Sequence, residues 1–187
     1  MDTSALNIEI EKKYRLDKEQ EARIRADLAE FDAEFLGEEF EENLIFGNER
    51  MFDLKTMVRL RTTENRKILT FKKHVSDEGG VKSHIEYESE VSDVEQVRKI
   101  LEGLELFCGI LYEKRRKSYS FRGISVVVDE LSFGRYMEIE GTPIQIAEVE
   151  LLLGADELEV EMFTYPQLTH ALGKRNGRCM EARFENR

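Results

Sequence analysis

Short runs of alternating charged and apolar residues recur along this chain. Successive side chains of a strand point to opposite faces, so Asn7-Ile8-Glu9-Ile10-Glu11-Lys12-Lys13-Tyr14 predicts a strand with Glu9, Glu11 and Lys13 on one face and Ile8, Ile10 and Lys12 on the other. Val58-Arg59-Leu60-Arg61 stacks two arginines together, and Leu69-Thr70-Phe71-Lys72 sets Lys72 opposite Leu69 and Phe71. After a Gly79-Gly80 turn, the next run aligns His84, Glu86, Glu88 and Glu90 against Ile85, Tyr87 and Val91. Glu113-Lys114-Arg115-Arg116 sends Lys114 and Arg116 to one side, a β-branched run from Ser125 ends on the carboxylate of Asp129, and Tyr136-Met137-Glu138-Ile139-Glu140 repeats the opening pattern. These seven runs read as strands, each with a charged face.

Helices are marked by their caps. Asp17-x-x-Gln20 opens one to about Ala33, and Ser92-x-x-Glu95 opens another to about Leu104. Thr142-Pro143 starts a third that runs through Leu153 and stops at Gly154, and a fourth runs from Thr164 to near Gly173. If these helices cover the apolar strand faces, the charged faces point inward. Residues 1–173 are expected to form one domain. The basic stretch from Lys174 to Arg187 has few apolar residues and predicts a disordered tail or a peripheral helix.

A charged strand face ordinarily meets solvent, and each strand taken alone fits that description. Taken together they fit another. An antiparallel sheet of this length curls and closes, and closure with these faces inward confines many charges in a channel. Unpaired charges are costly to bury, so such a channel calls for mobile counter-ions or a charged ligand. Lys13, Arg59, Arg61, Lys72, Lys114 and Arg116 suit a polyanion with several phosphates. Glu9, Glu11, Glu86, Glu88, Asp129, Glu138 and Glu140 suit hard divalent cations such as Mg²⁺ or Mn²⁺. The combination describes a metal-triphosphate site. An empty patch of one sign repels itself, so Arg59→Ala, Arg61→Ala and Glu138→Ala are each expected to leave the ligand-free protein as stable as before, or more so.

In their order along the chain these motifs resemble the CYTH superfamily, the triphosphate tunnel metalloenzymes that include class IV adenylyl cyclases and thiamine triphosphatases. The likeness runs through Glu9-x-Glu11-x-Lys13, Arg59-x-Arg61, the Leu-Thr-aromatic-Lys segment ending at Lys72, Glu86-x-Glu88 and Glu113-Lys114-x-Arg116. It continues through Asp129 and Glu138-x-Glu140 and closes on Thr164-Tyr165-x-x-Leu168. What the resemblance implies is an α+β fold: a closed eight-stranded antiparallel β-barrel, or tunnel, with helices packed on the outside. It also implies catalytic roles for Glu9, Glu11, Lys13 and Asp129. Glu9, Glu11, Asp129, Glu138 and Glu140 become the main metal ligands, with Glu86 and Glu88 secondary. The eighth strand is placed at Phe35 to Phe46, where Leu36, Phe40, Leu44 and Phe46 oppose Glu39, Glu41 and Asn43, and it carries no functional motif.

The expected activity is Mg²⁺- or Mn²⁺-dependent hydrolysis of the terminal phosphate of tripolyphosphate, ATP or thiamine triphosphate. Adenylyl cyclase chemistry calls for the same charges, and a non-catalytic polyphosphate- or nucleotide-binding module for the basic ones alone. A net charge of -11 argues against a nucleic-acid partner. There is no apolar run of about 18 residues and no signal-peptide pattern, so no membrane association and a cytoplasmic location are expected. The chain has no P-loop signature, which leaves phosphate binding to side chains. Its two cysteines form neither a disulfide framework nor a zinc motif; Cys108 reads as core and Cys179 as part of the charged tail. His84 shares the parity of Glu86 and Glu88, where an ordinary hydrogen-bonded histidine is commoner than a proton shuttle.

Overall fold

Eight strands close into an antiparallel ring in the computed structural model, which describes residues 7–185. They are β1 (Ile8–Leu16), β2 (Glu34–Gly47), β3 (Thr56–Thr62), β4 (Lys67–Glu78), β5 (Val81–Glu90), β6 (Phe107–Phe121), β7 (Ile124–Leu131) and β8 (Gly134–Glu140). Around the ring the order is β2-β3-β4-β5-β1-β8-β7-β6, and β6 pairs back onto β2 to complete it. The β4–β5 and β6–β7 hairpins have two-residue turns, Gly79-Gly80 and Arg122-Gly123. All four residues have positive φ, between 52° and 82°, the mirror-image turn that matches strand twist.

The helices are α1 (Lys18–Glu30), α2 (Glu49–Asp53), α3 (Val94–Gly103), α4 (Pro143–Leu152) and α5 (Tyr165–Leu172). Capping boxes at Asp17, Thr142 and Thr164 start α1, α4 and α5 where the sequence places them. Asp93, rather than Ser92, caps α3 by accepting from the Gln96 N–H. An ionised oxygen at that point also complements the helix dipole. At the other end of α1, Asp32 takes a left-handed φ of 56°, and the helix stops short of Ala33.

Strand parity sorts the apolar residues. On the outer face, Tyr14, Leu16, Val126, Val128, Met137 and Ile139 pack against Ile24 and Leu28 of α1 and Ile146 and Val149 of α4. A second outer cluster joins Phe46, Val58 and Leu60 to Leu101 of α3. The fourth expected helix behaves differently: α5 does not lie on the outside. Its Tyr165 and Leu168 join inward-facing Ile45, Met57, Ile110, Tyr112, Leu131 and Tyr136, so an apolar cluster fills one end of the ring.

The tail also departs from expectation. It forms a hairpin of β9 (Lys174–Asn176) and β10 (Cys179–Ala182), with β10 parallel to β6 from Ile110 to Tyr112. β7 pairs with β6 only from Lys114 onward, so the first half of β6 offers a free edge that the tail satisfies. Arg183 fixes the end of the hairpin by binding Glu42 at 2.9 Å and Glu113 at 3.0 Å. Cys108 is half-buried at the margin of the cluster of Phe46 and Leu101, beside this hairpin. Among the described residues no helix is long and apolar enough to cross a membrane.

Candidate active site

Inward-facing side chains line a cavity of about 330 Å³ inside the ring. Glu9, Glu11, Lys13, Arg59, Arg61, Lys72, Glu86, Glu88, Lys114, Arg116, Glu138 and Glu140 all reach it. Register explains the convergence: Glu11 stands opposite Glu140 and Lys13 opposite Glu138 between β1 and β8, and Lys72 stands opposite Glu86 between β4 and β5. Of the predicted set, Asp129 alone is absent from the lining.

Asp129 lies behind the basic wall, fully buried. Arg116 grips it with both Nε and Nη2 at 2.8 and 2.6 Å, Lys114 approaches at 3.3 Å, and the Tyr165 hydroxyl donates at 2.8 Å. With four donors on two oxygens, this carboxylate holds the cations in place. Glu41, on the strand that carried no motif, does the same from the other side. It is 1% exposed and lies 3.3 Å from Arg61, 3.4 Å from Lys114 and 3.9 Å from Arg116. Asn43 donates to Glu41 and accepts from Arg61. Lys13 sits 3.7 Å from the centre of the Tyr165 ring and 3.2 Å from Glu138.

The acidic wall is Glu9, Glu11, Glu86 and Glu140, with Lys72 among them. Its ammonium is 2.7 Å from Glu9, 2.9 Å from Glu86 and 4.0 Å from Glu11. Arg59 binds Glu86 at 2.9 Å and Glu88 at 3.1 Å, and Thr70 donates to Glu88. The charges are therefore interleaved rather than gathered in patches of one sign, which removes the self-repulsion on which the expected harmlessness of deleting one of them rested.

Titration follows from this arrangement. Burial pushes Glu9 up to about 9, helped by its hydrogen bond with Glu86 and the charges of Glu86 and Glu140. Burial would also raise Glu86, but the hydrogen bond with Glu9 and the charges of Lys72 and Arg59 hold it well below the usual range. Glu9 and Glu86 thus share one proton. Glu138 is likewise held low by Lys13 and Arg116 against the effect of burial. Burial and then Arg116 bring Lys114 down to about 8. Burial, Lys72 and His74 bring His84 down to about 3, so this cavity-lining ring is neutral near pH 7 and a weak base.

The acidic wall fits a hard divalent cation by its donor chemistry, since its ligands are oxygens. Among the described residues, no three acidic, histidine or cysteine groups already converge as metal ligands, because the carboxylates are turned toward Lys72, Arg59 and Arg116. Sequence patterning missed Glu41, Asn43, Tyr165 and Lys82 as parts of this site. Lys82, on the parity of His84 and Glu86, is buried and donates to the Glu161 carbonyl. Starting the strand at Val81 instead of His84 would have shown it.

Comparison with known proteins bears on the fold and the family. A conserved hypothetical protein of Pyrococcus furiosus is 27% identical with a TM-score of 0.71, covering 86% of this chain and 99% of its own. A protein of Pyrococcus horikoshii OT3 is 25% identical with a TM-score of 0.72, covering 86% and 98%. A candidate adenylyl cyclase from Hippeastrum, described by a dominant triphosphatase activity, is 18% identical with a TM-score of 0.70, covering 87% and 95%, and shows the shared fold. No curated protein matches the chain significantly. The CYTH domain profile matches residues 7–171, and the chain belongs to the CYTH domain family.

Proposed function

We propose that this chain hydrolyses the terminal phosphate of a triphosphate with the help of Mg²⁺ or Mn²⁺. One observation carries the reading: a basic wall and an acidic wall, tied to each other through Lys72 and Arg59, line a single cavity. A pure phosphate-binding module has no use for the second wall.

Arg61, Lys114 and Arg116, braced from behind by Glu41 and Asp129, bind non-bridging phosphate oxygens by charge-assisted hydrogen bonds. Lys13, fixed between the Tyr165 ring and Glu138, adds a point charge where negative charge builds up. The apolar cluster behind Tyr165 excludes water from that end and stops the phosphate chain, so the chain is held in one register. Glu9, Glu11 and Glu140 would hold the cation, with Glu86 and Glu88 beside them. When bound, it neutralises phosphate charge and lowers the pKa of an attacking water.

Purified protein is assayed with tripolyphosphate, ATP, GTP and thiamine triphosphate, each with Mg²⁺ or Mn²⁺ and with chelator. Orthophosphate release that needs the metal is the expected result. Pyrophosphate with cyclic AMP from ATP would replace hydrolysis by cyclase chemistry. Tight binding with no turnover of any substrate would replace it by a binding module.

A further inference from the structure

Outside the cavity, β6 carries an irregularity with a chemical consequence. Ile45 of β2 pairs with Ile110, but Phe46 pairs with Cys108, so Gly109 is an extra residue. An extra residue reverses side-chain parity beyond it. Ile110 accordingly packs inside the ring, and Cys108 packs outside near Phe46. β10 runs alongside with Met180 opposite Ile110, which brings Cys179 to the same outer face. The two sulfurs lie 4.0 Å apart and both residues are half-buried. They line a cavity of about 270 Å³ together with Arg98, Arg178 and Arg183, against one carboxylate, Glu181.

We propose that Cys108 and Cys179 form a modification site, a dithiol that a small anionic disulfide such as glutathione disulfide oxidises to an intramolecular disulfide. The register sets Cys179 one step along from Cys108 on the neighbouring strand, and the sulfurs, already 4.0 Å apart, need to close to about 2.05 Å. Arg178 draws a carboxylate of the oxidant to the opening, while Arg98 and Arg183 stay paired with Glu102 and with Glu42, Glu113 and Glu181. One protein thiolate attacks the small disulfide, making a mixed disulfide and expelling one glutathione thiolate. The second protein thiolate then attacks the protein-side sulfur of that bond, forming Sγ–Sγ and expelling the other glutathione. Two protein thiols and one small disulfide become one protein disulfide and two small thiols, which take up the two protons.

Burial raises both thiols, and the neighbouring Cys108 helps push Cys179 up to about 12. Thiolate is scarce at neutral pH, and the bond forms on prolonged exposure rather than as a rapid signal. Once formed, it ties the terminal hairpin to β6 across a separation of 71 residues.

The test incubates the full chain with glutathione disulfide, maps peptides without reduction and records thermal melting. Expected are a monomer that loses both free thiols, a peptide joining Cys108 to Cys179, and a midpoint higher by on the order of 10 °C that dithiothreitol reverses. Cys108→Ser and Cys179→Ser should each stop at one bound glutathione with no such rise. A wild-type product that remains a glutathione adduct, becomes a disulfide-linked dimer or keeps both thiols overturns the proposal, as does an equal rise in either serine variant.

Discussion

Asp129→Asn separates a brace from a metal ligand. The substitution keeps the shape of a fully buried side chain that receives Arg116 through two nitrogens, Lys114 and the Tyr165 hydroxyl. It removes the charge and turns an amide N–H₂ toward groups that are themselves donors. Breaking one side of a buried pair costs about 3–5 kcal/mol. Glu138 remains 2.7 Å from Arg116 and Glu41 remains 3.4 Å from Lys114, so the loss should fall near the lower end, about 3 kcal/mol. For a chain of this size that is a fall in thermal midpoint of roughly 6–12 °C. The assay is urea unfolding of the chelator-treated protein, paired with triphosphate turnover over a range of metal concentrations. A brace gives lower stability and weaker triphosphate binding, with little change in the metal concentration at half-maximal rate. Stability within about 1 kcal/mol of wild type, together with a large rise in that metal requirement, would refute the reasoning and return Asp129 to the metal.

Three further perturbations probe the ring. Ile139→Ala, at a fully buried outer position, should cost about 2–5 kcal/mol in urea unfolding while each folded molecule keeps its turnover; Glu138→Gln should instead lose about 100-fold in turnover, and the opposite pattern would mean that inside and outside are exchanged. Arg59→Ala should weaken triphosphate binding by calorimetry and also lower the midpoint of the ligand-free protein, since Glu86 and Glu88 lose their partner; a raised midpoint would show that these ion pairs do not form. Glu9 is protonated in the folded state up to about pH 9 but ionises in the unfolded chain near its ordinary value of 4.5. Metal-free stability should therefore fall as pH rises through that window. Glu9→Gln should flatten the decline, and a flat wild-type profile would count against the shared proton.

Strand parity made the ring and most of its cavity legible in the sequence, because a charged residue at every second position has few ways to be placed once the opposite face is apolar. Helix starts were legible for a similar local reason: a capping box satisfies nearby backbone donors. What escaped depended on partners distant in the chain. Glu41 looks like any carboxylate on a half-polar strand until β2 meets β6 and Lys114 and Arg116 arrive beside it. Asp129 follows the acidic pattern, but β7 pairs with β6 and delivers it to Arg116, not to the other carboxylates. The tail, poor in apolar residues, is ordered by a free edge on β6 that no local pattern announces.

On the proposed function, interleaved charges would also make the triphosphate and the divalent cation thermodynamically reciprocal. In the empty protein Lys72 and Arg59 are held by Glu9, Glu86 and Glu88, so a polyphosphate that claims those cations must release the carboxylates, and a divalent ion that claims the carboxylates must release the cations. Each arrival does part of the work of the other, and linkage requires the two affinities to rise by the same factor. With either ligand alone, part of its binding energy would go into breaking these ion pairs; when both are present, occupancy should climb more steeply than either affinity foretells.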